Sequence, residues 1–354
     1  MLNYYERRWS TIREMLVERE FDAFLVKQPE NIRYLSSTHL PFYTLLNHVI
    51  IPADGDPVGL AYPLEKNRVK EHCAIKDVRF YPDVAPNPKV ENEMVKKLLM
   101  NLNVKSILCD EEYKISGIRV EKDDFIREMR ACKQPDEVEK LRKAAELVDY
   151  GAKILVEEIL REGKTEAEIA IEIDRVVRSK GAQLMSFPTI IAAGKNSAFP
   201  HHIPTNKKLS EGELVICDFG AVYEGYFSDL TRTYPVGNVS EKLLEILDIV
   251  VEGQEEAIKA IKIGQDLRLV EERCRSLFKE YGYDEYFTHC IGHGLGLGHD
   301  EPIVSMTTTE KVKRGYVFTV EPGIYIPDLG GVRIEDDVYV GDHVEILTKT
   351  LKKL

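Results

Sequence analysis

The sequence predicts an α/β domain of about 128 residues followed by a larger α+β domain built as two similar halves. Three observations predict it. Up to about residue 125, helix-like and strand-like patterns alternate. Around Arg130 to Pro135 the pattern changes to a long amphipathic segment. Beyond it, glycine-bounded helices and acid-bearing β-prone runs recur at an offset of 101–103 residues. A length of 354 residues suits two domains, at about 100–200 residues each.

Within the first domain, residues 4–20 carry Trp9, Ile12, Met15 and Leu16 at helical spacing. Phe21 to Val26 reads as a short buried strand. His48 to Pro52 and Pro57 to Ala61 read as two strands joined by the turn Ala53-Asp54-Gly55-Asp56. A helix ending near Asn103 precedes the strand Ser106 to Cys109. Nothing here groups catalytic residue types. Pro135 opens a long helix, with Asp136 and Glu137 in the first turn, where acids oppose the helix dipole favourably. The boundary falls near residue 128, giving domains 1–128 and 129–354.

The second domain echoes itself. Gly163-Lys164-Thr165 opens a helix with a capping box, Thr165 to Glu168, that ends at Gly181. Gly264-Gln265-Asp266 opens another, ending at Gly282, with the same glycine interval. Gly212, Asp218 and Gly220 repeat as Gly315, Glu321 and Gly323. A pseudo-two-fold duplication of a helix-then-hairpin unit explains both matches.

Composition narrows the function classes. A formal net charge of -12 lacks the basic stripe of a nucleic-acid binder. No apolar run approaches the roughly 18–20 residues of a membrane helix. The N-terminal residues lack the apolar core of a signal peptide. Cys73, Cys109, Cys132, Cys217, Cys274 and Cys290 are scattered without a C-x-x-C pair, which suits reduced thiols in a cytoplasmic protein.

The chemistry concentrates in two acid-bearing hairpins. Leu214 to Asp218 and Gly225 to Pro235 are β-prone runs around the turn 221–225. Paired about that turn, Asp218 lies directly opposite Asp229, with Cβ atoms about 4.5–5.5 Å apart. Tyr316 to Glu321 and Gly331 to Val340 flank the turn Pro327-Asp328-Leu329-Gly330, placing Glu321 opposite Glu335. Like charges facing one another on a sheet are destabilising, and buried without partners they cost several kcal/mol. The flanking Ile216, Phe219, Val320 and Ile334 point to a buried sheet rather than to acids on an exposed edge. Each pair therefore calls for a cation, and four carboxylates balance two divalent ions. Oxygen donors suit Mg, Ca or Mn; adding His293, set in Gly292-His293-Gly294, tilts the site toward Mn, Co, Fe or Zn.

Together these runs resemble the creatinase/aminopeptidase superfamily of pita-bread metallopeptidases, family M24. The matching segments are Cys217-Asp218-Phe219-Gly220, Ser228-Asp229-Leu230-Thr231-Arg232-Thr233, Gly292-His293-Gly294, Glu321-Pro322-Gly323 and Arg333-Ile334-Glu335-Asp336. They cover residues 130–345 in order and spacing. Asn31-Ile32-Arg33-Tyr34-Leu35 looks like the N-terminal α/β domain of the proline-specific branch. The resemblance implies Asp218, Asp229, His293, Glu321 and Glu335 as ligands of two divalent ions, with Mn or Co typical and Zn or Fe used by relatives. It implies catalytic roles for Glu321, His201 and His289, and substrate-binding roles for His201, His299, Arg333 and Tyr325. Thr231 matches a hydroxyl supporting the ligands. One spacing departs: His299 lies six residues after His293, where the family often has seven.

The implied activity is hydrolysis of Xaa-Pro bonds in proline-containing di- or oligopeptides, by a dipeptidase first and an aminopeptidase second. No arginine between Ser305 and Lys313 matches the one that often grips a dipeptide's carboxylate. A metal-free creatinase-like hydrolase and a non-catalytic binding module share the fold, and both usually lose ligands that are intact here. Homodimers are common in this group.

Overall fold

Trp9, Ile12, Met15 and Leu16 line one face of helix α1 (Leu2–Glu18), and all four are buried. In the computed structural model, which describes residues 2–41 and 44–353, this helix opens the first of two compact units, Met1–Arg130 and Ala131–Leu354.

The described residues of the first unit form a six-stranded sheet. Its strands are β1 (Ala23–Val26), β2 (His48–Pro52), β3 (Val58–Ala61), β4 (Asp77–Phe80), β5 (Ser106–Cys109) and β6 (Arg119–Lys122). Their spatial order is β4-β3-β2-β1-β5-β6, with β1 antiparallel to β2 and parallel to β5. Helices α2 (Pro29–Ser36), α3 (Lys66–His72), α4 (Pro88–Asn101) and α5 (Phe125–Ala131) complete it. Every residue of the central strand β1 is buried, so it reads as an uninterrupted apolar run. The edge strands β4 and β6 are largely exposed and carry charges.

In the second unit, α6 (Pro135–Ile154) starts where proline predicted it, and the Glu137 carboxylate accepts the Gln134 N–H at 3.0 Å. Helix α7 (Glu166–Lys180) has the expected capping box. Thr165 Oγ1 accepts the Glu168 N–H at 3.1 Å, and the Glu168 carboxylate accepts the Thr165 N–H at 2.8 Å. The strands are β7 (Ile190–Ala193), β8 (Glu213–Phe219), β9 (Val222–Tyr223), β10 (Tyr226–Phe227) and β11 (Leu230–Val236). After α8 (Glu241–Lys259) and α9 (Leu269–Glu280) come β12 (Gly292–Leu295), β13 (His299–Val304), β14 (Val317–Val320), β15 (Gly323–Ile326), β16 (Gly330–Arg333), β17 (Asp336–Val340) and β18 (Val344–Ile346).

The two halves repeat one plan. Helices α6 and α7 precede a sheet ordered β11-β8-β7; helices α8 and α9 precede the order β17-β14-β12, extended by β13 and β18. Each half inserts a small hairpin, β9–β10 or β15–β16, between its second and third strands. Each half also packs its own buried core, Val148, Ile173 and Phe219 in the first and Val250, Phe278 and Phe318 in the second.

One expected register is corrected. Asp218 pairs with Thr231, not with Asp229. The cause is the turn: Glu224 and Gly225 both have positive φ (45° and 84°), the two-residue type I′ geometry whose twist suits a hairpin. That turn centres the hairpin later than a five-residue loop would, so Asp229 becomes the diagonal neighbour on the same face. In the second half the expected register holds. Val320 pairs with Asp336 and Gly323 with Arg333, bracketing Glu321 and Glu335 about Asp328.

No disulfide forms among the described residues. No helix among them is long and apolar enough to cross a membrane.

Candidate metal centre and active site

Strand β8 ends in Asp218-Phe219, and alternation sends Phe219 into the apolar core while Asp218 faces a cleft. Asp229 stands just before β11; Glu321 and Glu335 stand in the gap between the β14–β17 and β15–β16 ladders. His293 comes from β12, which runs beside β14. That approach is close: a Cβ on Gly292 would lie 1.9 Å from the Thr319 carbonyl oxygen, so only glycine lets His293 sit there.

The five predicted ligand residues do converge. Three overlapping sets each bring one donor atom per residue within 4.8 Å of the others: Asp218, Asp229 and Glu335; His293, Glu321 and Glu335; Asp229, His293 and His299. Asp229, His293 and Glu335 each belong to two of these sets, so the three overlap in one cluster. His299, expected on the substrate side, lies with its Nε2 3.9 Å from the Asp229 carboxylate and its ring 4.3 Å from that of His293.

The donors' other bonds test whether they suit a cation. Oδ1 of Asp218 and Oδ1 of Asp229 are buried with no hydrogen-bond partner. Such orphaned carboxylate oxygens are costly in a protein interior unless a positive ion meets them. The His293 Nδ1–H donates to the Gly294 carbonyl at 3.2 Å, leaving the Nε2 lone pair facing the acids, with Nε2 3.5 Å from Glu321. Glu335 accepts from the Thr231 hydroxyl at 2.6 Å, and Glu321 from the Thr319 hydroxyl at 3.1 Å. The donor set therefore fits hard or borderline divalent ions.

Protonation preferences report the same crowding. Burial, then the neighbouring carboxylates, pushes Asp229 and Glu335 well above the ordinary carboxylate range. Burial also pushes Glu321 up to about 7, opposed by Arg333. His293 is held below its usual value by burial.

Arg333 and Tyr325 are placed differently from a substrate grip. Arg333 Nη2 donates to Asp218 at 2.5 Å, Nη1 to the Tyr325 hydroxyl at 3.0 Å and to the Pro200 carbonyl at 3.2 Å, and Nε to the Thr231 hydroxyl at 3.2 Å. All three nitrogens thus serve protein oxygens. Tyr325 is 5% exposed and lies behind the cleft. His289 Nδ1 meets the Cys290 carbonyl at 2.7 Å, which makes Nε2 the acceptor for the Tyr325 hydroxyl at 2.9 Å. His201 lines the cleft, is exposed, and has no hydrogen-bond partner among the described residues. Its neighbour His202 meets the buried Glu166 at 2.9 Å.

Further groups escaped the sequence reading. The buried Asp337 carboxylate accepts the Asp229 N–H at 3.2 Å, fixing the backbone of a candidate ligand. Arg232 pairs with Asp336 at 2.6 Å, both almost fully buried. The two arginines cross over: Arg232 of the first hairpin reaches the second, and Arg333 of the second reaches Asp218. The run Glu335-Asp336-Asp337 was the available signal, since three successive acids after an apolar strand cannot all face water. Thr319, two before Glu321, was visible by strand period alone.

The cleft offers about 480 Å³, enough for a short peptide. Phe187, Pro188, Ile190 and Ile203 supply an apolar wall opposite the acids.

Comparison with known proteins agrees with this arrangement. The model of metallopeptidase family M24 matches residues 139–342, and that of the creatinase/prolidase N-terminal domain matches residues 8–122. An Xaa-Pro dipeptidase of Pyrococcus furiosus is 36% identical over 360 residues, covering 99% of each chain. The crystal structure of a prolidase from Pyrococcus horikoshii superposes with a TM-score of 0.86 at 34% identity, covering 98% of this chain and 99% of that one. An X-Pro aminopeptidase structure from Thermotoga maritima gives 0.80 at 30% identity, covering 95% and 99%. Matched by the family model over more than half its length, the chain belongs to metallopeptidase family M24, whose members hydrolyse peptide bonds with divalent metal ions.

Proposed function

We propose that this chain hydrolyses the bond before proline at the amino end of short peptides, Xaa-Pro dipeptides first among them. The observation that carries the reading is the pair of orphaned aspartate oxygens inside overlapping sets of potential ligands. The names of the full-length relatives supply the substrate class.

Asp218, Asp229 and Glu335 would hold one ion, and His293 and Glu321 would complete the other, with Asp229 and Glu335 shared. Mn or Co suits this mixed oxygen and imidazole set, as do Zn and Fe. Two such ions supply Lewis acidity and acidify water enough for attack at neutral pH. Glu321 takes the proton released by the attacking water and delivers it to the leaving proline nitrogen. That delivery matters because proline leaves as a secondary amine. His201, with its ring open to the cleft, donates to the carbonyl oxygen as it becomes a tetrahedral oxyanion. Arg333 fixes Asp218, and His289 with Tyr325 fixes Arg333, so these three act by position. The apolar wall holds the proline ring and excludes water. The intact ligand set disfavours the metal-free hydrolase and the binding module.

The test is metal analysis with hydrolysis of Met-Pro. Two ions per chain and release of proline support the reading. A protein that binds no divalent metal, or that binds it without cleaving Met-Pro or a longer Xaa-Pro peptide, sinks it.

A further inference from the structure

The segment Pro200 to Thr205 carries His201 and Ile203 of the cleft. The exposed His201 ring has no hydrogen-bond partner among the described residues, so its place follows from how the backbone on either side is held. On one side the Pro200 carbonyl accepts from Arg333 at 3.2 Å. On the other side the contacts converge on Glu166, the first residue of α7, whose side chain is fully buried. Its Oε1 accepts the Ala193 N–H at 2.8 Å and the Asn196 amide at 3.0 Å. Its Oε2 meets His202 Nε2 at 2.9 Å, the Thr205 N–H at 3.0 Å and the Thr205 hydroxyl at 2.7 Å. The Ala167 N–H, which has no intrahelical acceptor in the first turn, donates to the Thr205 carbonyl at 3.0 Å. Pro200 and Pro204 restrict the backbone between these two pins. Burial opposes ionisation of Glu166, but the Ala193 N–H and the His202, Thr205 and Asn196 side chains outweigh it and hold the carboxyl below its ordinary range. An ionised carboxylate only accepts, so His202 turns its Nε2–H inward while His201 is left facing the cleft.

We infer that Glu166, which does not itself line the cleft, is the positioning residue for His201: through His202 and Thr205 it sets where the cleft histidine stands when the substrate carbonyl arrives. The inference rests on the Xaa-Pro reading above and on the part given there to His201. A misplacement of about 1 Å at a reacting centre can cost on the order of a hundred-fold in rate, so the pinning of this segment is a kinetic matter as well as a structural one. A buried acid that only held the fold together would change stability without acting through His201.

The metal-loaded full chain is assayed on Met-Pro, with metal content measured for every variant. Glu166→Gln should lower kcat by about 10–100-fold while KM moves less than about three-fold and metal content stays that of the parent chain. In a His201→Ala background the same substitution should cost less than about two-fold, because the two residues act as one unit. His202→Leu, at a less crowded position, should repeat the loss even where Glu166→Gln fails to fold. His202→Gln, which returns an N–H to Glu166, should recover about ten-fold of it. Undiminished kcat in His202→Leu, or a Glu166→Gln loss that is just as large without His201, overturns the inference. So does a loss that tracks lost metal, or one that His202→Gln does not recover, because Glu166 then serves only the fold. Failure of the parent chain to cleave Met-Pro defeats the Xaa-Pro reading itself, whereas additive losses in an active enzyme defeat this inference alone.

Discussion

The two acid-bearing hairpins are built on one plan but solve the charge problem differently. In the first, Asp218 sits inside a continuous ladder opposite Thr231, and Asp229 is its diagonal neighbour. In the second, Glu321 and Glu335 face one another in a gap between ladders. The longer glutamates reach hydroxyl donors, Thr319 and Thr231. The shorter aspartates each keep a buried oxygen without a partner. Arg333 meets the other oxygen of Asp218, so within the first hairpin Asp229 depends most on a cation, while both glutamates are partly satisfied by hydroxyls.

The largest break of that comparison is Asp229→Asn. Activity on Met-Pro should fall by about three orders of magnitude or more, because a shared ligand is lost. The metal-free protein should nonetheless become more stable at pH 8, since the carboxylate held well above its ordinary range is destabilising when ionised. Melting temperatures after chelation measure this, and a lower value for the variant contradicts the burial argument.

Next come the hydroxyls. Thr231→Val and Thr319→Val should each weaken metal binding by about 10–100-fold in calorimetric titration. Thr231 should matter more, because its bond to Glu335 is 2.6 Å against 3.1 Å from Thr319 to Glu321. The reverse order would show that hydroxyl support does not follow distance.

Chelation itself sharpens the contrast through pH. Asp229, Glu335 and Glu321 hold protons in the metal-free fold that the unfolded chain has already released. Their contribution is favourable at low pH and is lost as pH rises through the folded values, which for Glu321 is about 7. The gap in melting temperature between loaded and chelated protein should widen from pH 5 to pH 8. A constant gap would mean the acids are not desolvated.

Smaller effects probe the frames. Gly292→Ala drives a Cβ to within 1.9 Å of the Thr319 oxygen and should cost about 1–3 kcal/mol in denaturant melts, with weaker metal binding. Glu224→Asn, at a positive φ of 45°, should stabilise by less than about 1 kcal/mol without changing activity. A change in activity there would show that the first hairpin's turn does more than set register.

Much of this was legible in the chain. Buried strands β1 and β5 announced themselves as apolar runs, and α6 and α7 by proline and a capping box. The edge strands β4 and β6 did not, because Asp77-Val78-Arg79-Phe80 and Arg119-Val120-Glu121-Lys122 carry the charges of exposed positions. The second hairpin's register was readable from its turn. The first was misplaced because two residues with positive φ make a tighter turn than their composition suggests.

By itself the sequence determined which residue types cluster: two acids in each half and a histidine, on strands whose alternation buries their neighbours. Periodicity and turn chemistry are local, so they survive in one dimension. Tertiary structure alone decided which donors are already spent. Arg333 is committed to Asp218 across the two halves, 115 positions apart, and His289 to Tyr325 from a different element of the second half. Such partners leave no periodic trace, and they decide which groups remain open to a metal or a substrate.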